Sequence, residues 1–109
     1  MSAQISNDLR LVVSVHDCHV RVWDVTAKKM LGCISQTGCT LVRFSPDGTS
    51  LGILSGCTLK IYELRKPTTN AEYKVIKTYT FEGSTSFAFN KSGRLLAVGC
   101  TQRLLVVDL

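Results

Sequence analysis

Short runs of Val, Ile, Leu and aromatic residues recur along the chain between clusters of Gly, Asp, Ser and Thr, and no stretch repeats its apolar positions with the helical period. The pattern predicts ten β-strands, over about 10–15, 19–25, 29–35, 39–45, 50–55, 58–64, 73–81, 85–90, 94–100 and 103–108. Several of them, including LVVSV (11–15), LLAVGC (95–100) and LLVVDL (104–109), are apolar at nearly every position, which calls for cover on both faces. EYKVIKTYTFE (72–82) instead alternates, with Tyr73, Val75, Tyr79 and Phe81 expected on one side and Lys74, Thr78, Thr80 and Glu82 on the other, as in a half-exposed strand.

The strands carry an internal repeat. HDCHVRVWDV (16–25) aligns with SGCTLKIYEL (55–64) and CTQRLLVVDL (100–109), so that Val22-Trp23-Asp24-Val25, Ile61-Tyr62-Glu63-Leu64 and Val106-Val107-Asp108-Leu109 fall in step at spacings of 39 and 45 residues. VRFSPDG (42–48) aligns with FAFNKSG (87–93) at the same spacing of 45, Phe44 over Phe89 and Gly48 over Gly93. The six residues by which the second spacing exceeds the first are placed in RKPTTNAE (65–72).

FSPDG before a strand, a further strand, a tight turn and then VRVWDV resembles the repeat of the WD-repeat β-propeller family, over about residues 9–109. The resemblance implies an all-β fold of four-stranded antiparallel blades. It divides the chain into an N-terminal tail (1–8), a partial blade without its first strand (9–38), a complete blade (39–83) and a partial blade without its last strand (84–109). Such a chain is expected to be an incomplete propeller that cannot close a ring. It would be a fragment or truncated form of a larger one, or would require blades from a parent chain or other subunits, and its end blades are not expected to complement each other.

The resemblance also implies a hydrogen-bonded set within a blade, made by a Trp on the third strand, a Ser or Thr on the second, an Asp in the turn between them and a His before the first. Ser14, Asp17 and Trp23 fit the first blade, with Asp24, Tyr62, Glu63 and Asp108 as the repeat's other structural positions. No Gly-His precedes either later blade, so packing is expected to dominate there.

Candidate chemistry is sparse. His16-Asp17-Cys18-His19, with Cys57 in the equivalent turn, is the one cluster with metal-ligand character, and too few donors converge in sequence for a zinc site. The chain contains no G-x-S-x-G elbow and no phosphate-binding glycine loop, and Asn90-Lys91-Ser92 matches a glycosylation sequon at a turn position. The expectation is a non-enzyme without cofactor or metal, acting as a protein-protein interaction scaffold in a multiprotein complex.

Composition changes this picture little. The 109 residues, 45% hydrophobic and 19% charged, suit one modest core. The net charge of +5 admits an acidic partner, and Lys60, Arg65, Lys66, Lys74 and Lys77 form the densest basic stretch, so the alternative is binding of RNA or anionic lipid headgroups through 60–77. Arg65, Lys66, Lys74 and Lys77 are the candidate partner-binding residues. Five cysteines without a C-x-x-C pair, a polar Met1–Arg10 and the lack of a long apolar run predict an intracellular protein, cytoplasmic or nuclear, without a transmembrane segment.

Overall fold

The computed structural model describes residues 2–16, 19–35, 38–64 and 73–109, which form strands and the turns between them. Eleven strands follow in order: β1 (Ser2–Ile5), β2 (Leu11–His16), β3 (His19–Asp24), β4 (Lys29–Ser35), β5 (Cys39–Phe44), β6 (Ser50–Ser55), β7 (Thr58–Glu63), β8 (Lys74–Thr80), β9 (Ser84–Phe89), β10 (Leu95–Cys100) and β11 (Leu104–Asp108). They make three antiparallel sheets, each a simple up-and-down run: β1 to β4, β5 to β8, and β9 to β11. Among the described residues no helix is long and apolar enough to cross a membrane.

The strand count corrects the sequence expectation. Residues 2–5 do not trail as a tail; Ser2, Ala3, Gln4 and Ile5 pair with Val15, Ser14, Val13 and Val12, which gives the first sheet its first strand. Strand pairing is a backbone property, so a polar sequence suffices where the neighbouring strand offers a free edge. Gln4 uses its polarity, its Oε1 accepting the Phe44 N–H at 2.9 Å from the next sheet.

The sheets stack side by side through two cores. In each sheet the face toward the following sheet is called the forward face and the other the rear face. The first joint sets Val13, Val20, Val22 and Ile34 of the first sheet's forward face against Val42, Leu51, Ile53, Tyr62, Leu64 and Tyr73 of the second sheet's rear. The second joint sets Leu54, Leu59 and Ile61 against Phe87, Leu96 and Val98. The middle sheet is therefore covered on both faces, as its near-continuous apolar strands require. At roughly 25 cal/mol per Å² of apolar surface removed from water, these two joints are the main source of stability.

Matching register shifts break the pairing of β3 with β4 between Val22 and Trp23, and of β7 with β8 between Ile61 and Tyr62. The second one overturns the single apolar side expected for 72–82. Tyr73 packs into the first joint, whereas Tyr79 and Phe81 pack into the second. One extra residue in a strand moves every later side chain to the other face.

Candidate interaction surface

Three turns of one design precede the second strand of each sheet: Ser6-Asn7-Asp8-Leu9, Ser45-Pro46-Asp47-Gly48 and Asn90-Lys91-Ser92-Gly93. In each, the fourth residue's N–H donates to the first residue's carbonyl at 3.0 Å, and the fourth residue has positive φ, 62° at Leu9, 75° at Gly48 and 76° at Gly93. The first residue's side chain accepts a backbone N–H five residues on, Leu11 to Ser6 Oγ, Ser50 to Ser45 Oγ and Leu95 to Asn90 Oδ1, each 3.0 Å. A second side chain closes the loop. Ser6 Oγ donates to Asp8 Oδ1 at 2.6 Å and Ser45 Oγ to Asp47 Oδ1 at 2.7 Å, while in the third turn Ser92 Oγ donates to Asn90 Oδ1 at 3.2 Å. Short side chains that bond local backbone amides make such turns rigid.

Two of these turns carry carboxylates held below their ordinary pKa. For Asp8 the causes are the Ser6 hydroxyl and then the Arg10 N–H; for Asp47 they are the Thr49 N–H and then the Ser45 hydroxyl. Donors aimed at the ionised form favour it. Both carboxylates face a cleft of about 460 Å³ between the first two sheets, which Arg10, Asp24, Thr49 and Leu64 also line. The turns reach one another across the stack, Asn7 Nδ2 donating to Pro46 O at 3.2 Å and Gly93 lying against the Pro46 ring. One end of the molecule thus presents a rim of three braced turns, with Asn7, Lys91 and Arg94 exposed on it.

The residues singled out in the sequence divide among several places. Trp23 Nε1 donates to Ser14 Oγ at 2.9 Å across β2 and β3, on the first sheet's rear face. Asp17 and Cys18 lie outside the described residues; His16 and His19 pair in register beside them, and His19 Nδ1 stands 3.4 Å from Ser35 Oγ. Asp24 Oδ1 accepts the Ala27 N–H at 2.9 Å and shapes the turn between β3 and β4. Tyr62 is buried in the first joint, Glu63 sits opposite Ser50 and Lys74, and Asp108 is exposed opposite Leu95.

Of the partner-binding candidates, Arg65 and Lys66 lie outside the described residues, as does the 65–72 segment assigned the extra six. Lys74 and Lys77 are exposed on β8, opposite Glu63 and Ile61, which places both on the forward face of the middle sheet. Lys60 pairs with Thr78 and points to the rear. Among the described residues no group of three or more His, Cys, Asp or Glu could hold a metal ion.

Sequence reasoning missed Gln4, Ser6, Asn7 and Asp8. A signal for them existed, because Ser6 precedes Ser45 by 39 residues and Ser45 precedes Asn90 by 45, the spacings of the strand repeat. Leu9 in the place of glycine hid it.

Comparison with known proteins agrees with this geometry. The family described as "WD domain, G-beta repeat" matches residues 1–24, the segment that holds β1, the first braced turn, Ser14 and Trp23. No curated protein matches the sequence at a significant level. The solved structure of the C-terminal WD40 domain of Sif2 superposes with a TM-score of 0.79 at 20% identity, covering 99% of this chain and 33% of that one. The chain thus spans about a third of the length of the solved chain it matches. The match in fold over nearly all residues gives the three sheets the architecture of β-propeller blades, and the WD-repeat match itself lies in the first of them.

Proposed function

We propose that the chain acts as a non-catalytic scaffold for protein-protein contacts, as one part of a larger propeller assembly. Domains of the WD-repeat fold generally serve as protein-interaction scaffolds. The observation that carries the reading here is the rim. Three turns of the same design, each locked by its own side chains, stand together at one end of a rigid β stack, where recognition residues on such scaffolds are placed. Fold alone does not fix function, so the rim is the part to test. The partner class is protein, in a multiprotein complex, and the cysteines, without a C-x-x-C pair, suit the cytoplasm or nucleus.

The rim variants Asn7→Ala, Lys91→Glu and Arg94→Glu keep the turn's internal bonds. Tagged chain and variants, each with its circular dichroism spectrum, are compared by crosslinking and mass spectrometry in cell extract. A partner crosslinked to rim residues and lost at least about tenfold in a variant supports the reading. A partner set indifferent to all three substitutions rejects it. The basic stretch is the weaker candidate, since Lys60 faces away from Lys74 and Lys77. RNA or anionic-vesicle binding that collapses with salt would raise it again.

A further inference from the structure

The three rim turns share one design but not one charge. The third residue of each, Asp8, Asp47 and Ser92, falls at the repeat's spacings of 39 and 45 residues. In the first two turns it is a carboxylate that accepts the first residue's hydroxyl and the N–H two residues on, Arg10 to Asp8 Oδ1 at 3.1 Å and Thr49 to Asp47 Oδ1 at 3.0 Å. In the third the direction reverses. Ser92 Oγ donates to Asn90 Oδ1 at 3.2 Å, and the Arg94 N–H reaches Ser92 Oγ at 3.3 Å. A turn whose two sisters hold an anion at this position thus holds a neutral hydroxyl, with longer and weaker bonds.

Ser92 is exposed, and so are Lys91 and Arg94 beside it. That exposure belongs to the position in the turn, because Asp47, its equivalent, is exposed although a neighbouring turn packs on either side of the middle one. Lys77 lines the cleft of about 180 Å³ between the second and third sheets together with Ser92 and Asp47. Three cations therefore surround the hydroxyl, against the carboxylates of Asp47 in that cleft and of Asp108 opposite Leu95. A second anion in the cleft has a precedent in the equivalent cleft of the first joint, where Asp8 and Asp47 stand together.

We propose that Ser92 is a phosphorylation site, modified by an ATP-dependent protein kinase that selects basic residues beside its target, and that the phosphate supplies the anion missing from the third turn. In the transfer Ser92 Oγ forms a bond to the γ-phosphorus of ATP, the bond from that phosphorus to the bridging oxygen breaks to release ADP, and the hydroxyl proton passes to the kinase's base. The modified side chain no longer donates to Asn90. It accepts the Arg94 N–H instead, as Asp8 accepts that of Arg10, while Asn90 keeps the Leu95 N–H. The phosphate's charge of about −1.5 to −2 at pH 7 cancels the positive charges of Lys91 and Arg94, so this corner of the rim changes sign or becomes neutral. The inference rests on the cytoplasmic or nuclear setting of the proposed function and is independent of the rim's partners.

The test incubates the folded chain with ATP, Mg²⁺ and a serine/threonine kinase selective for basic sequences, and maps the product by mass spectrometry. Phosphate is expected on Ser92, is absent from Ser92→Ala, and forms at least about tenfold more slowly when Lys91 and Arg94 are both alanine. Ser86, exposed on β9 without a basic neighbour in sequence, should stay unmodified. In NMR spectra of the phosphorylated chain the Arg94 amide should titrate with the phosphate at a pH of about 6, while the Leu95 amide stays fixed. A Ser92 that takes phosphate only once the chain is unfolded, or no faster than Ser86, overturns the proposal, as does an Arg94 amide indifferent to the phosphate. A glycan on Asn90 of the Asn90-Lys91-Ser92 sequon in the native protein also overturns it, and marks failure of the setting, not of the turn. Neither the mapping nor the amide shift needs a rim partner, so either this inference or the scaffold reading can fail with the other intact.

Discussion

The two joints of the stack occupy equivalent positions in the repeat and are filled differently. In the first, Val13 and Val42 share the centre, and the rim above it is stitched by polar bonds from Gln4 to Phe44 and from Asn7 to Pro46. In the second, the position of Val13 is Gly52 and the position of Val42 is Phe87, whose ring lies where a Cβ on Gly52 would come within 2.6 Å. Phe87 also meets Phe89 edge to face at 6.2 Å, and Tyr79 stacks on Phe81 at 5.6 Å. One repeat position therefore tolerates a balanced pair or a large-small pair, provided the summed volume fills the joint.

The largest effects should come from breaking the large-small pair. Phe87→Ala is expected to cost about 3–5 kcal/mol, because the glycine opposite it leaves nothing to fill the space. Gly52→Val forces the ring aside and should cost about 1–3 kcal/mol. Combining the two changes is the sharper test, since a valine opposite an alanine restores part of the volume. Denaturant unfolding should show the double variant less destabilised than the sum of the singles; strict additivity would mean that Gly52 and Phe87 do not act as a pair.

A smaller effect belongs to the polar stitching of the first joint. Gln4→Ala removes the acceptor of the Phe44 N–H, a half-buried group, and should cost about 1–2 kcal/mol. Amide hydrogen exchange locates the damage: Phe44 should lose protection while Asn90, whose N–H donates to Leu95 O within the third sheet, keeps it. Equal loss at both would show that the joints open as one unit.

The same comparison explains what the sequence could show. The strands from β2 to β11 were legible because they carry apolar runs and because the residues that make a joint, Leu59 and Ile61 among them, recur at fixed spacing. β1 was not, since Ser2–Ile5 is held by backbone pairing and by one glutamine reaching the next sheet, neither of which leaves an apolar pattern. The side-chain faces of β8 were misread because a bulge is a property of pairing between strands and has no mark in the alternation itself. Of the rim, SPDG and its counterpart NKSG were visible as turns, but their convergence with Ser6-Asn7-Asp8-Leu9 depends on the stacking of sheets.

Acid should separate the joints at the rim. The first is flanked by two carboxylate turns, Asp8 and Asp47, whereas across the second Asp47 faces Ser92, which does not titrate. Both carboxylates have folded pKa values below 3.8, so their contribution is complete above that pH and is lost as the pH falls through the lower folded value. NMR of the amides that donate to them should show Arg10 and Thr49 shifting with the carboxylates. Leu95, bonded to Asn90, should stay fixed. A Leu95 amide that titrates with the other two would mean that the turns respond as a group.

The smallest expected effect is a gain. Leu9 holds φ at 62° where the equivalent residues Gly48 and Gly93 hold 75° and 76° at no steric cost. A left-handed conformation costs a side chain such as leucine about 1–2 kcal/mol, and the Leu9 side chain, 63% exposed, returns little by burial. Leu9→Gly removes that strain but frees the unfolded chain, which opposes folding by about 0.5–1 kcal/mol. The net should be a stabilisation of under about 1 kcal/mol, seen as a rise in Tm of a few degrees. Gly48→Leu, which installs the same strain in the middle turn, should lower Tm by about as much as Leu9→Gly raises it, because Asp8 Oδ2, 3.5 Å from the position of the added Cβ, lies at ordinary contact distance. If both substitutions leave Tm unchanged, the positive φ of this turn is not where the repeat's preference for glycine arises.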